Sequence, residues 1–321
     1  ETIRFALSQL TSGRPGPVHL GLCARVAASQ TRALAAFKPL SSHVDPAAHV
    51  SGLLELLSTS VHPVILAGVG LEPEQPYAEL QAFAEAVGAP LIDTPKAKGA
   101  LAADHPLFVG TLGLTVDDPA YEILAEADCI IAVGFDVVEL VKPWSEPAPL
   151  IWIAPWQNHD PHIAAVYEYV GEMAPLLSLL SDRVTDPIEP AWGASRFAAF
   201  RSKYAQEPSP VAAAGYVTPQ DLLRVIRDRT MDDVVITTDV GSHKIFTALS
   251  WPAQRPNRYF VSNGLSAMGF GVPAAIAAAI RLQQPTICIT GDAGLAMIVG
   301  ELALAVEMNL PVITVVMNDN A

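Results

Sequence analysis

The distribution of apolar residues predicts strands and helices that alternate along the chain. Short, continuous apolar runs end in polar or glycine-rich turns, and segments with apolar residues at helical spacing separate them. Such runs are typical of strands buried on both faces of a sheet, and the crossovers between them make the strands parallel. The sequence therefore predicts an α/β fold with two doubly wound parallel-sheet domains. The predicted strands are Pro63–Ala67, Pro90–Asp93, Asp128–Gly134, Leu150–Ile153, Val234–Thr238, Arg258–Val261, Thr286–Thr290 and Val312–Met317.

The remaining segments predict helices and a linker. A helix is predicted to begin at Thr218, an N-cap residue followed by Pro219 in the first turn and Asp221 three residues after the cap. The proline-rich segment Thr185–Pro210 is predicted to be a linker anchored by its aromatic residues. The other predicted helices are Glu1–Leu10, His49–Thr59, Pro76–Val87, Tyr121–Ala127, Pro273–Leu282 and Met297–Asn309.

The first residues are too few to form a domain of their own. A helix at Glu1–Leu10 and a short strand at Val18–Leu20 cannot bury a core, so we expect them to be the tail of a domain that lies largely outside these residues. The expected segments are a domain tail at 1–28, a central domain at 29–184, a linker at 185–214 and a C-terminally incomplete domain at 215–321.

The last strand–helix–strand unit carries the most specific polar pattern. Asp292 follows one strand and Asp319 follows the next, so parallel pairing would bring both to the same sheet edge. Two acidic oxygens with a neighbouring amide and a backbone carbonyl suit Mg²⁺ or Ca²⁺, and a turn that opens a helix suits an anion. Together they indicate a bound diphosphate. The alternative is that Asp292 only caps the helix and that Asn318 and Asp319 close a turn.

Three further turns have the residues of ligand-binding loops. The strand ending at Asp239 runs into Gly241-Ser242-His243 and a helix, which makes a second anion site possible, although a lone histidine is more often structural. The segment Ser262–Gly271 is rich in small residues that allow a ligand close approach. Gly68-Val69-Gly70 favours either tight strand–helix packing or a nucleotide loop, and it lacks the third glycine of the dinucleotide fingerprint.

Composition narrows the class of protein. The 321 residues are 51% apolar and 16% charged, which is typical of globular chains. A net charge of −14 argues against nucleic-acid or anionic-membrane partners. The longest strongly apolar tract, Met268–Ile280, is too short to span a membrane. Cys23, Cys129 and Cys288 are isolated in apolar surroundings and are predicted to be buried thiols in a reducing cytoplasm.

These motifs resemble those of the thiamine-diphosphate-dependent acetolactate synthase and 2-oxo-acid decarboxylase superfamily. Gly291-Asp292-Ala293 followed by Asn318-Asp319-Asn320 is similar to the two ends of its cofactor motif. By this resemblance Asp292, Asp319 and the carbonyl of Ala321 bind Mg²⁺, with Asp319 standing where the family more often has asparagine. The residues that the resemblance assigns to the cofactor are Gly241, Ser242, His243, Ser266, Met268, Asp292, Ala293 and Gly294.

The resemblance also implies a reaction, acetolactate synthase-like carboligation with decarboxylation of a 2-oxo acid. A simple 2-oxo-acid decarboxylase is one alternative, and a non-catalytic nucleotide-binding α/β protein is another. The family's activating glutamate is expected in an N-terminal domain outside these residues, so no catalytic residue is assigned and the chain by itself is expected to be inactive. A homodimer or homotetramer is expected of the intact protein. Val137, Val138 and Glu139 provide no cation where flavin-binding relatives have one, so tight FAD binding is not expected.

Overall fold

Two parallel sheets organise the molecule. The computed structural model describes residues 2–11, 14, 16–30, 44–72, 74–184, 192–205 and 215–318. Within these residues every strand pair is parallel, in one six-stranded and one four-stranded sheet. The prediction of an α/β fold with two parallel sheets is confirmed. None of the described helices is long and apolar enough to cross a membrane.

In the first sheet the earliest strand lies near the centre, and later strands extend to either side in the order β3-β2-β1-β4-β5-β6. Its strands are β1 (Pro63–Ala67), β2 (Leu91–Asp93), β3 (Phe108–Thr111), β4 (Cys129–Val133), β5 (Leu150–Ala154) and β6 (Ala165–Val170). Alternate residues enter different cores, since Ile65 and Ala67 pack on one face while Val64 and Leu66 pack on the other. Both faces of the central strands are therefore buried, as their continuous apolar sequence requires.

Helices cover both faces of this sheet. Residues of α3 (Ala47–Ser58), α4 (Tyr77–Val87) and α6 (Met173–Arg183) form one core with the sheet. Residues of α5 (Tyr121–Ala125) and α7 (Gly193–Ala205) form the other. Two helices precede them, α1 (Thr2–Thr11) and the short α2 (Ala24–Ala27).

The second sheet has the order β10-β9-β7-β8. Its strands are β7 (Val235–Thr238), β8 (Tyr259–Val261), β9 (Thr286–Gly291) and β10 (Val312–Met317), and its helices are α8 (Pro219–Arg227), α9 (Ser242–Ser250), α10 (Gly271–Leu282), α11 (Asp292–Ile298) and α12 (Leu302–Glu307). The predicted N-cap of α8 is confirmed, because the Thr218 hydroxyl oxygen accepts a hydrogen bond from the Asp221 amide at 3.1 Å. Helices α8 and α9 pack on one face, and α10 and α12 on the other.

Several elements differ from the sequence-based predictions. The segment Val18–Leu20 is exposed and pairs with no described strand, because a short apolar run forms a strand only where a sheet edge accepts it. The predicted linker contains α7, whose Phe197 is buried and whose neighbour Trp192 donates from Nε1 to the Pro63 carbonyl at 3.0 Å. Its aromatic residues do anchor it. Helix α6 and strands β3 and β6 were not predicted. Strand β6 is a half-exposed edge strand and has no continuous apolar run.

Two smaller predictions also change. The helix expected at Met297–Asn309 begins earlier, as α11 at Asp292, and a 3₁₀ turn at Val299–Glu301 separates it from α12. Glycine at position 300 is a poor helix former, which is consistent with this break. Cys129 and Cys288 are buried as predicted, but the prediction for Cys23 is wrong, because it is exposed ahead of α2.

The turn after β1 is closed by protein atoms. A Cβ on Gly68 would lie 2.6 Å from Phe135 Cα and 2.7 Å from Glu139 Oε2. The Glu139 carboxylate accepts hydrogen bonds from the Val69 amide at 2.8 Å and from the Thr94 hydroxyl at 2.6 Å. This is the point where the strand order reverses, at which open α/β sheets hold their ligands. Here the amide that would face a phosphate, that of Val69, instead donates its hydrogen bond to the buried Glu139 carboxylate.

We predict that Gly68→Ala lowers the free energy of unfolding by about 1–3 kcal/mol, because its Cβ would overlap backbone that cannot move aside. Urea unfolding measures the change. Gly300→Ala is the matched control, since a Cβ there meets nothing within 4 Å and should leave stability unchanged or slightly higher. Equal stability of the Gly68→Ala variant and the parent protein would contradict the packing described above.

A second prediction concerns pH. Burial raises the pKa of Glu139 from its ordinary value of 4.5 to about 7. Between these values the folded state binds more protons at this site than the unfolded state, so stability falls as pH rises, by about 3 kcal/mol across the window. Glu139→Gln should remove this part of the pH dependence, measured by urea unfolding at about pH 5 and about pH 8.

The control for the pH prediction is Glu307→Gln, because Glu307 is exposed at the end of α12. It should show the same pH dependence as the parent protein. If Glu139→Gln also keeps the parent's full dependence, Glu139 is not the group that titrates.

Candidate cofactor site

A cavity of about 680 Å³ opens at the carboxyl ends of β7, β9 and β10. Its volume falls within the range of about 300–1,000 Å³ that is typical of small-molecule sites. Gly291 and Met317 are paired at the ends of β9 and β10, so Asp292 and Asn318 are the next residues on neighbouring strands. Both line the cavity. The register therefore brings the two polar turns together, as the sequence predicted.

The turn after β7 presents the start of a helix to this cavity. Gly241 is the N-cap of α9, with φ of +153°, and a Cβ there would lie 2.7 Å from the His243 ring. Only glycine allows this backbone path with the imidazole folded beneath it. The first amides of a helix have no carbonyl of the same helix to bind, so they are available to an anion. Gly241, Ser242 and His243 all line the cavity.

His243 is the one buried side chain of this turn. Its Nε2 is buried and has no hydrogen-bond partner among the described residues. Burial lowers the pKa of His243, and the nearby Asp239 carboxylate opposes that effect only partly. The imidazole is therefore mostly neutral at pH 7, because this pH already lies above the ordinary histidine pKa of about 6.5. A neutral imidazole has one donor and one acceptor nitrogen, so the unpartnered Nε2 is suited to form a hydrogen bond with a ligand.

A buried carboxylate connects the three segments that surround the cavity. Asp239 follows β7 and is fully buried. Its Oδ1 and Oδ2 accept hydrogen bonds from the Gly269 amide at 2.9 and 3.1 Å. Oδ1 also accepts from the Val240 amide at 2.7 Å, and Oδ2 from the Thr290 hydroxyl on β9 at 3.3 Å. Asp239 thereby fixes the turn that carries Met268, whose side chain is 42% exposed and lines the cavity.

The turn after β9 leads directly into α11. Asp292 is exposed, and its Oδ1 accepts a hydrogen bond from the Ala293 amide at 2.8 Å. The alternative interpretation, in which Asp292 caps the helix, is not what the structure shows, because the N-cap of α11 is Gly291 and no side chain makes a capping bond there. The contact with Ala293 leaves the exposed carboxylate open to a metal ion as well, because a carboxylate has room for several partners. Gly294 is buried one residue further on and also lines the cavity.

The structure brings most of the predicted residues to one place. All of the predicted cofactor-binding residues except Ser266 line the cavity, and the hydroxyl oxygen of Ser266 instead accepts a hydrogen bond from Lys244. Asp319 and Ala321, the other two predicted metal ligands, lie outside the described residues. Within residues 2–318, apart from the gaps already given, no group of three histidine, cysteine or acidic side chains could hold a metal. The roles of these residues stay predictions.

Other residues of the site were not predicted. Asp239 was part of a recognised motif, but no role was assigned to it, although a carboxylate directly after a strand is a usable signal. Tyr216, Leu222 and Phe246 give the cavity an apolar side. Leu222 belongs to the apolar face of α8, and Phe246 lies one helical turn after Ser242, so their periodicity was visible but not their destination.

The site fits thiamine diphosphate and Mg²⁺ on three observations. A helix begins at its floor, an orphaned buried nitrogen of His243 lies beside that helix start, and an exposed carboxylate stands at the end of the neighbouring strand. The first two suit a diphosphate, and the third suits a hard divalent cation.

Comparison with known proteins agrees with this chemistry. Residues 50–180 match the thiamine pyrophosphate enzyme central domain, and residues 239–321 match the thiamine pyrophosphate enzyme C-terminal TPP binding domain. The probable acetolactate synthase large subunit of Methanocaldococcus jannaschii is 30% identical over 98% of this chain and 56% of its own length. The acetolactate synthase isozyme 2 large subunit of Escherichia coli is 30% identical over 96% of this chain and 56% of its own length.

These curated relatives are matched over nearly all of the present chain, which spans only about half of their length. Both sheets match one family: the chain belongs to the thiamine pyrophosphate enzymes, and acetolactate synthase large subunits are among its curated relatives.

Proposed function

We propose that this protein uses thiamine diphosphate and Mg²⁺ for the acetolactate synthase-like decarboxylation and carboligation of a 2-oxo acid. One observation carries the proposal. The strand-end turns at Gly241–His243 and Asp292–Gly294 line a single cavity together with Met268. The similarity to acetolactate synthase large subunits supports the type of reaction.

The two turns would hold a diphosphate and its metal ion. Asp292 would bind Mg²⁺ with Asp319 and the carbonyl of Ala321, and a hard cation of this kind takes its remaining ligands from phosphate oxygens and water. The amides that begin α9, together with His243, would bind the diphosphate. Met268 would support the cofactor rings from the side of the cavity, since a methionine fills an irregular apolar gap.

When bound, thiamine diphosphate supplies the electron sink that a 2-oxo acid needs to lose CO₂. The chain itself provides orientation and a partly water-excluded site. Leu222 and Phe246 line the cavity together with its polar turns, and an apolar wall strengthens the electrostatic contacts that form beside it. The activating glutamate would come from outside these residues, so no described side chain is assigned to proton transfer at the cofactor.

The proposal extends to the surroundings of the enzyme. We propose a homo-oligomer, because large apolar side chains of the second sheet and its helices are exposed, among them Met297, Val306 and Ile313. The support for a cytoplasmic location is that Cys23, Cys129 and Cys288 are free thiols. We also propose that FAD is not a tightly bound cofactor. The support is the buried Glu139 side chain, which accepts a hydrogen bond from the Val69 amide at the reversal of the first sheet and so removes a donor that a phosphate would need there.

Asp292→Asn is predicted to weaken Mg²⁺-dependent binding of thiamine diphosphate by about 100-fold or more, because it removes a charged ligand of the metal. Isothermal titration calorimetry with and without Mg²⁺ measures the effect. Glu301→Ala is the control, since Glu301 is an exposed carboxylate in the turn after the same helix and does not line the cavity. Unchanged cofactor affinity in Asp292→Asn would reject the metal assignment.

The reaction is tested by incubating the full-length protein with pyruvate, thiamine diphosphate and Mg²⁺ and analysing the products. The proposal predicts release of CO₂ and formation of acetolactate. Acetaldehyde as the main product would favour a simple decarboxylase. Cofactor binding without turnover of pyruvate or other 2-oxo acids would show that the fold has kept its site without this reaction.

A further inference from the structure

Lys244 is a buried lysine without an acidic partner. It follows His243 on α9 and is only 9% exposed. Among the described residues no carboxylate forms an ion pair with it. Burial lowers the pKa of Lys244, and the positive charge of Lys96 adds to this effect. A buried charge of this kind is costly unless its donors are all satisfied.

All three contacts lie in one segment. The Lys244 ammonium donates to the Ser262 carbonyl at 3.1 Å, to Asn263 Oδ1 at 3.2 Å and to Ser266 Oγ at 2.9 Å. An ammonium has three N–H donors, and each of them has an acceptor here. The lysine therefore binds the beginning of the Ser262–Gly269 turn at three points.

This turn needs external support. Gly264, Ser266 and Gly269 all have left-handed backbone, with φ of +82°, +52° and +83°. Serine seldom adopts that conformation unless the surroundings impose it. Lys244 binds the turn near its start, and Asp239 binds it at its end through the Gly269 amide. Met268, the predicted support of the cofactor rings, lies between the two anchors.

The same contact reaches the first sheet. Asn263 accepts from Lys244 through Oδ1 and donates through Nδ2 to the Glu139 carbonyl at 3.4 Å. Glu139 is itself fixed by the Val69 amide and the Thr94 hydroxyl. Lys244 thus joins the helix that starts at the predicted diphosphate turn to the turn that carries Met268, and both to the first sheet.

We propose that Lys244 is a positioning residue for the cofactor: by holding Ser262, Asn263 and Ser266 it keeps Met268 directed at the cavity. This inference rests on the proposed function. It makes a specific prediction, because the three hydrogen bonds of the Lys244 ammonium all go to the turn that carries Met268 and none goes to the turns that would meet the diphosphate. Loss of its ammonium should weaken binding of the whole cofactor and spare binding of its diphosphate half.

The experiment compares two ligands in the full-length protein, thiamine diphosphate and inorganic pyrophosphate, each with Mg²⁺, by titration calorimetry. Lys244→Met keeps the length of the side chain and removes its donors. We expect about a 10- to 100-fold loss of affinity for thiamine diphosphate, as for lost hydrogen bonds to a charged group, and less than about a twofold change for pyrophosphate. Lys142→Met, a lysine paired with Glu146 away from the cavity, should change neither affinity.

Asn263→Ala provides a second, milder test should Lys244→Met fold poorly. It should weaken binding of thiamine diphosphate selectively, and in the Lys244→Met background it should add nothing, because both changes break one network. Independent, additive losses would overturn the proposal.

The remaining outcomes are also decisive. Equal losses for both ligands would mean that Lys244 only supports the fold of α9, and unchanged affinity for both would mean that it supports neither; each overturns the inference. If the unmodified protein binds pyrophosphate and Mg²⁺ but not thiamine diphosphate, the proposed function fails first, and the variants are not needed to show it.

Discussion

The hydrogen bonds of the Asp239 carboxylate are the interaction on which the site depends. A single buried side chain, placed directly after β7, bonds the turn before α10 and the end of β9. The Asp239 amide donates to the Ile289 carbonyl at 2.9 Å, which extends the pairing of β7 with β9 one residue past the end of β7. A carboxylate buried in this way is tolerated only because backbone and hydroxyl donors surround it. Asp239 thereby bonds the Met268 turn to the ends of β7 and β9.

A second buried polar group lies where the two sheets meet. Lys98 donates to the Thr111 hydroxyl at 2.9 Å, and that hydroxyl donates to Asp93 at 2.6 Å. Burial raises the pKa of Asp93 to about 6, and the positive charge of Lys98 counteracts it. The Lys98 ammonium also lies 5.9 Å from the centre of the Tyr259 ring on β8. Such a group contributes less to net stability than to a unique arrangement of the parts it joins.

The two sheets use the same topological opportunity differently. In the second sheet, the strand ends at Asp239 and Gly291 surround a cavity with an open helix start. In the first sheet, the corresponding reversal between β1 and β4 is packed by Gly68, Phe135 and Glu139. Close glycine contacts and the Glu139 carboxylate fill this reversal. One fold class thus carries an open cavity at the strand ends of its second sheet and a packed turn at the reversal of its first.

The sequence by itself determined the class of fold and placed the candidate site residues in turns at strand ends. Continuous apolar runs such as Pro63–Ala67 and Val312–Met317 predicted buried parallel strands, and Asp292 and His243 could be placed at strand ends. Both signals are local, because burial on two faces selects apolar residues and a ligand-binding turn selects small and polar ones. Strand β6 lacks this local signal, because it is half-exposed and Glu168 interrupts its apolar residues, so it was missed.

Only the tertiary structure decided which residues act together. Lys244 meets Ser262, Asn263 and Ser266, Glu139 meets Val69, and Trp192 meets Pro63, across separations that no periodicity records. Such contacts depend on strand order and on the distance between two sheets, which a linear pattern does not contain. A buried lysine or glutamate looks like any surface charge in sequence, and its meaning comes from the acceptors and donors that folding places around it.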